Sequence, residues 1–345
     1  MVNNFGQTCR GTRWEALLLL CLVAFPGVAS ADAVSSPGFL LRNQNPFLQI
    51  FGLPPFQSAQ LATPGRLKYD LSLDIANHAD AGDNDVEDFA IDGESYFLTL
   101  SLRRRVLDRL ELGVDLPLVA HADGFLDNTI ESWHDTFGMS NTKRRGPSNQ
   151  LGFEYSRDGN LLYQLDSATF GLGDIQISAA MPLRESQGDD RRSITLRSSI
   201  KLPTGDADEL SGSGAADLSL GIYAADRRTF WRRDLELAGF AGALLLGDGD
   251  VLGGLQKSAV PFGGVSATWW AMHNLGISAQ LYAQGKYFDS DLEELGGNSV
   301  QLAVGGEFRL PQRGLSLLLA VVEDVSANAT TDFALHFSAR KTVGK

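Results

Sequence analysis

Residues 300–309 read Val-Gln-Leu-Ala-Val-Gly-Gly-Glu-Phe-Arg. Val300, Leu302, Val304 and Phe308 fall on one side of an extended chain. Gln301, Ala303, Glu307 and Arg309 fall on the other. Successive side chains of a strand point to opposite faces, so this stretch has an apolar face and a polar one. Its length matches a strand that crosses a bilayer at a tilt, with lipid outside and a polar lumen inside.

The same alternation recurs along the chain. Twelve stretches carry it, at about 66–77, 94–105, 109–119, 173–183, 192–202, 215–225, 234–246, 258–270, 274–286, 298–309, 314–323 and 331–340. Short links at 107–109, 271–274 and 310–313 alternate with longer ones at 78–93, 120–172, 203–214, 247–257, 287–297 and 324–330. Short periplasmic turns and long outer loops have this rhythm. The expectation is an all-β fold: a transmembrane, antiparallel, up-and-down β-barrel of twelve strands over 66–345, with a large outer loop at 120–172. Both termini are then periplasmic. A second hairpin around Arg157-Asp158-Gly159 is read as a ribbon in the large loop; if it joined the wall, the count would be fourteen. A soluble sandwich fits less well, because its strands average five or six residues.

Residues 1–31 read as a cleaved signal peptide. Arg10 and Arg13 precede an apolar run from Ala16 to Phe25, and Ala29-Ser30-Ala31 supplies small residues for cleavage. Both cysteines, Cys9 and Cys21, lie in that segment, which leaves the mature chain without thiol chemistry or disulfides. Residues 32–65 contain Pro37, Pro46, Pro54, Pro55 and Pro64 and are unsuited to a wall strand. The segment either hangs in the periplasm or plugs the lumen. Phe39, Phe47, Phe51 and Phe56 need burial and favour the plug.

The chain has 42 acidic and 29 basic residues, a formal net charge of -13, which argues against a nucleic-acid partner. Barrel alternation places Lys68, Asp70, Asp74, Glu111, Asp115, Asp174, Arg197, Lys201, Asp217, Glu236, Lys286, Glu307 and Arg309 toward the lumen. Mixed charge of this kind fits either a narrow charged channel or a sealed, ion-paired core. Trp269-Trp270 read as part of an interfacial aromatic girdle; Tyr282, Tyr287, Phe288 and Trp231 read the same way, with support of a small hydrophobic solute as the alternative. His121, Asp123, Asp127, Trp133, His134 and Asp135 cluster near the mouth of the third strand; such groups can orient a base or bind a metal, although ordinary loop contacts account for them as well. The acidic loops around Asp83, Asp85, Glu87 and Asp88, around Asp206, Asp208 and Glu209, and around Asp248 and Asp250 suit calcium or lipopolysaccharide bridged by cations. An outer-membrane lipid hydrolase would need a rim Ser beside a His. His336 and Ser338 share a face, but loosely, and no cofactor is called for.

An ordered set of short segments resembles a known family. Arg42-Asn43-Gln44-Asn45-Pro46, Gly52-Leu53-Pro54 and Asp92-Gly93-Glu94 come first. Gly124-Phe125-Leu126-Asp127, Trp133-His134-Asp135 and Phe137-Gly138 come next. Leu172-Gly173-Asp174, Leu202-Pro203-Thr204-Gly205-Asp206, Gly212-Ser213-Gly214 and Glu323-Asp324 complete it. Together they resemble the bacterial envelope proteins grouped as domain of unknown function 3187, across nearly the whole mature chain. The Pro-Thr-Gly-Asp segment is also similar to outer-membrane barrels associated with aromatic-compound degradation pathways, to which transport is ascribed. The resemblance implies an outer-membrane location and a barrel, and supplies no reaction. Outer-membrane barrels often end on an aromatic residue, whereas this chain runs past Phe337 to Lys345, which implies a slightly different insertion signal or an incorrect boundary for the last strand. The function expected is a monomeric channel or solute-binding barrel for a small molecule, embedded in lipid and lipopolysaccharide and delivered by the barrel-assembly machinery. A closed structural or surface-interaction barrel is the alternative, and the lipid hydrolase ranks after it.

Overall fold

The computed structural model describes residues 38–124, 150–186, 191–325, 329–331 and 333–344. The signal-peptide reading falls outside them. Fifteen strands occur among the described residues: β1 (Leu67–Asp83), β2 (Glu87–Leu107), β3 (Leu110–Ala122), β4 (Gly152–Arg157), β5 (Asn160–Leu165), β6 (Thr169–Leu172), β7 (Gln176–Arg184), β8 (Arg192–Lys201), β9 (Asp217–Phe230), β10 (Arg233–Leu245), β11 (Ala259–Met272), β12 (Leu275–Gln284), β13 (Ser299–Leu310), β14 (Leu315–Asp324) and β15 (Phe333–Val343). Twelve of them, β1–β3 and β7–β15, form an antiparallel wall. It closes where Leu67 pairs with Val343 and Asn77 with Phe333. Closure leaves no wall strand with an unpaired edge.

The remaining strands are accessories. β4 pairs with the outer end of β2, Glu87 opposite Arg157 and Asp92 opposite Gly152, above the region where β2 pairs with β3. β5 pairs with β4. The hairpin is therefore a ribbon on the rim, and the wall has twelve strands. β6 pairs with the top of β3 on the edge that β7 occupies lower down, so the two are one line of strand interrupted at Gly173–Ile175. The link expected at 78–93 is much shorter: β1 and β2 continue as a ladder to Asp83 opposite Asp88. Apolar alternation fades there because the extended hairpin is covered on both sides, as at Asn77, His78 and Ala79. The last strand also ends later than expected, at Val343.

Burial alternates along the wall as a two-faced strand requires. In β9, Leu218, Leu220 and Ile222 are 42%, 52% and 53% exposed, while Asp217, Ser219 and Tyr223 are buried. A closed barrel with an apolar outside and a polar inside is a membrane barrel, and the protein is an outer-membrane barrel. The described C-terminal end, just past Val343, lies beside Gly65 and Arg66 at the short-turn side, which is periplasmic. One of these turns carries Trp231 and Arg232 at φ 48 and 61, the left-handed pair that a two-residue hairpin needs. Trp231 is 78% exposed and stacks on Phe230. Ile222→Arg places a cation near the middle of the lipid-facing run and should cost about 2–4 kcal/mol. A denaturant titration of folding into vesicles measures it, with Tyr223→Phe, which faces inward, as the comparison.

Residues 38–62 run inside the wall. Phe39, Phe47, Phe51, Leu53 and Phe56 are each no more than 2% exposed. Phe51 stacks on Tyr287 with centroids 5.0 Å apart and tilts against Phe288 at 5.7 Å. Phe56 meets Phe240 edge-on at 4.8 Å, and Phe240 stacks on Tyr223 at 5.0 Å. Tyr282, Tyr287 and Phe288 are thus interior residues rather than a girdle, because the segment gives them apolar partners. Trp270 is also inside, with the Arg309 guanidinium 3.4 Å from its ring centroid. Phe51→Ala should weaken docking of the segment by about 3–5 kcal/mol. Limited proteolysis should then clip residues near the N-terminus faster while the wall stays intact.

Candidate functional site

The interior is built from the inward face of the wall and the N-terminal segment. Asp174 sits at the break between β6 and β7. Its Oδ1 accepts from the backbone N–H groups of Thr204 (2.9 Å) and Gly205 (2.8 Å). Its Oδ2 accepts from Lys201 Nζ (2.6 Å) and the Ser213 N–H (3.1 Å). The Pro203-Thr204-Gly205-Asp206 loop is therefore wound around a carboxylate. Lys201 Nζ also lies 3.3 Å from Asp217 Oδ2 and donates to the Ile50 carbonyl (2.9 Å) and to the Ser213 hydroxyl. Asp217 in turn accepts from Gly52 N–H (2.7 Å) and Gly247 N–H (3.0 Å). A Cβ on Gly52 would lie 2.9 Å from Asp217 Cβ and 3.0 Å from Lys201 Cβ. Only glycine lets the segment approach the wall this closely.

Other wall residues hold the segment elsewhere. Arg197 donates to the Ser58 carbonyl (2.7 and 3.0 Å) and to Glu111 (3.0 Å). Glu111 also accepts from the Ala62 N–H. Thr195 donates to the Ala59 carbonyl (2.5 Å), and Tyr282 to the Pro54 carbonyl (2.7 Å). Gln280 both accepts from Phe39 N–H (2.9 Å) and donates to its carbonyl (3.2 Å). Asn43 donates to Ser299 (3.2 Å) and to the Ala329 carbonyl (2.8 Å).

Further ion pairs line the wall. Arg103 holds both oxygens of Asp115 (2.8 and 2.7 Å). Arg340 pairs with Asp70 (2.7 Å), Arg309 with Glu307 (3.0 Å), and Arg227 with Glu236. The Asp74 carboxylate is 2.6 Å from His336 Nδ1. Of the charged residues expected to face the lumen, Asp70, Asp74, Glu111, Asp115, Asp174, Arg197, Lys201, Asp217, Glu236 and Glu307 are buried there. Lys68 lines an interior cavity and Arg309 lies on Trp270. Lys286 differs. It lies just past the end of β12 and is exposed, because the wall has ended before the alternation reaches it. Arg103 is a further lumen group, to which strand phase with Ser101 points, and Arg340 faces inward in phase with His336 and Ser338.

Of the histidine–acid cluster, His121 and Asp123 lie among the described residues. His121 turns inward from β3, where its Nδ1 lies 2.7 Å from Ser95 Oγ. That hydroxyl is 2.8 Å from His78 Nε2, and Phe153 packs against both imidazoles. Asp123 is exposed; Asp127, Trp133, His134 and Asp135 lie outside the described residues. Ser338 donates to Asp70 (2.7 Å) while His336 is bonded to Asp74, so these two do not pair with one another. Among the described residues no three His, Cys, Asp or Glu side chains converge to hold a metal ion. Glu87 of the acidic hairpin is buried and accepts from Tyr155 (2.5 Å) and the Asp291 N–H (2.9 Å). The rim ribbon is tied down by Tyr163, which donates to the Asp208 carbonyl (2.8 Å) and packs edge-on against Phe47 at 5.3 Å. Burial, then the nearby Asp208 and Asp206, push its phenol well above the usual range, so it stays a donor at physiological pH.

Two adjoining cavities remain between the N-terminal segment and β1–β3. The lower has a volume of about 120 Å³ and includes Leu40, Gln57, Leu61, Lys68, Glu111 and Arg197 in its lining. The upper, about 30 Å³, includes Leu40, Arg42, Asp74, Ser101 and Asp115. Leu40 and Ser101 border both.

Residues 16–343 match the family described as Protein of unknown function (DUF3187). The chain belongs to this family. No curated protein matches it. Among solved structures it is similar to an outer membrane channel from Pseudomonas putida F1, at 12% identity and a TM-score of 0.53, over 83% of this chain and 98% of that one. It is also similar to the NanC porin (6% identity, TM-score 0.43, 81% and 99%). A third likeness is to the Ralstonia pickettii toluene transporter TbuX (11% identity, TM-score 0.37, 93% and 98%). The likeness to the Pseudomonas putida channel shows a common fold. Several segments that carry the family resemblance meet at one place. Asp174, the Pro-Thr-Gly-Asp loop, Ser213 and Gly52 are all bonded within the Lys201–Asp217 cluster.

Proposed function

We propose that this family member is a gated outer-membrane channel or solute-binding barrel for a small molecule, in which residues 38–65 act as a plug. The observation that carries this reading is the pair of polar-lined cavities between plug and wall. A barrel serving only as a rigid body would fill that space with side chains, as protein interiors do. Eight strands are just filled by their own side chains, whereas twelve leave room for a plug and a path beside it. Passage is passive and involves no covalent step. The solved relative from Pseudomonas putida is described as an outer membrane channel, in line with this reading. Lipid, lipopolysaccharide and the barrel-assembly machinery are the partners that the location implies.

Proteoliposome swelling tests the proposal. Vesicles holding the folded, intact protein should admit small charged solutes faster than protein-free vesicles, with a sharp size cut-off. Equal rates for vesicles with and without protein, both for the intact chain and for one lacking residues 38–65, would sink it. The second reading is a closed structural barrel. It is favoured by the buried ion pairs and backbone bonds that fix the plug along its length, and the same swelling experiment separates the two.

A further inference from the structure

We propose that the cavities beside β1–β3 form a binding site for a small organic monoanion, a carboxylate with a short apolar skeleton, held by Lys68 and Arg42. The proposal rests on the solute-binding reading and names the class of solute.

Charge pairing singles out these two cations. The carboxylates bordering the two cavities already have partners. Asp70 accepts from Arg340 and Ser338. Glu111 accepts from Arg197 and the Ala62 N–H. Asp115 is held by Arg103 and Ser101, and Asp74 by His336. The arginines of those pairs are engaged in the same bonds. Two cations of the lining remain. Lys68 in the lower cavity and Arg42 in the upper make no hydrogen bond or ion pair among the described residues, and Asp70 and Glu111, both committed to other partners, attract Lys68 only from beyond ion-pair distance. A cation partly removed from water with no direct counter-charge is costly, and an anion entering beside it offsets that cost with charge-assisted bonds.

The rest of the lining sets the solute class. Leu40, Leu61 and Ala62 offer an apolar side, and Gln57, Ser58 and Gln60 offer neutral polar groups. The upper cavity, about 30 Å³, is too small for more than a water-sized group, so the carboxylate sits in the lower one. There Lys68 alone among the lining cations has no direct hydrogen bond or ion pair among the described residues, and this suits a single negative charge better than the double charge of a phosphate. A volume of about 120 Å³ accommodates a few carbon atoms, since a cavity of about 150 Å³ holds benzene.

The test uses the refolded mature chain in detergent micelles and 4,4,4-trifluorobutyrate, monitored by fluorine NMR, with the neutral 4,4,4-trifluorobutyramide as control. Binding of the acid and not of the amide is expected. Lys68→Met should weaken it at least about tenfold, the worth of one charge-assisted bond, while Lys68→Arg retains it and Arg42→Met weakens it less. Heat-modifiable mobility on gels confirms that each variant is folded. Equal binding of acid and amide, or a folded Lys68→Met that binds as well as the parent, would overturn the site even in a protein that conducts. Lys68-dependent binding in a protein that never conducts would support the site and count against the channel.

Discussion

Deleting residues 38–65 should turn a nearly closed barrel into a steady pore. In a planar bilayer, the truncated protein is expected to conduct at least roughly tenfold more than the intact chain, because a twelve-stranded wall without its filling encloses an aqueous lumen. The wall itself should survive. Its strands bond to one another around a closed circuit, β1 to β15 included, and none of those ladders uses the plug. The deletion removes the four buried phenylalanines Phe39, Phe47, Phe51 and Phe56. It also releases Lys201, Arg197, Thr195 and Gln280 from the backbone groups they hold, and water then solvates these polar side chains. A truncated barrel that is folded yet silent would refute the plug and shift weight to the outer rim as the closure.

Lys201→Met should produce one of the largest losses from a single side chain. The ammonium stands between Asp174 and Asp217 with a side-chain exposure of 1%. Methionine fills similar space but leaves two carboxylates sharing a buried site without their cation. Breaking a buried ion pair from one side costs about 3–5 kcal/mol. The temperature at which the compact, heat-modifiable form converts on gels should fall accordingly. Asp174 keeps the N–H groups of Thr204, Gly205 and Ser213, and Asp217 keeps those of Gly52 and Gly247. The damage should therefore concentrate on repulsion between the two acids. Adding Asp217→Asn to Lys201→Met should recover part of the loss, and the coupling of the two changes can be read from a double-mutant cycle. If Lys201→Met matches the parent in stability and conductance, the cluster does not anchor the plug.

The alternation of Val300, Leu302, Val304 and Phe308 with Gln301, Ala303 and Glu307 was enough to identify a strand with lipid on one side. Repeated twelve times, it predicted the closed wall. It worked because strand phase is a local property: once one side chain faces lipid, its neighbour faces the lumen. The reading failed where that condition lapsed. At Asn77–Ala79 both faces are covered, so the pattern vanished while the ladder continued. At Lys286 the strand had ended. For Tyr282, Tyr287 and Phe288 the phase says which way a ring points, not what it meets there, and the girdle reading overlooked the segment that covers them.

Composition and periodicity in the chain by itself thus determined the class of fold, the environment on each side of the wall and the proline-rich segment unable to join it. Tertiary structure alone decided which charges pair. Asp174 and Asp217 are far apart in sequence and converge on Lys201 because β8 pairs with both of its neighbours: Lys201 stands opposite Asp217 on β9 and opposite Gln176, two residues past Asp174, on β7. Pairing depends on distances between strands and on where the segment threads, and neither is encoded in the alternation of one strand. That geometry leaves Lys68 and Arg42 as the cations of the two cavities without a hydrogen bond or ion pair among the described residues.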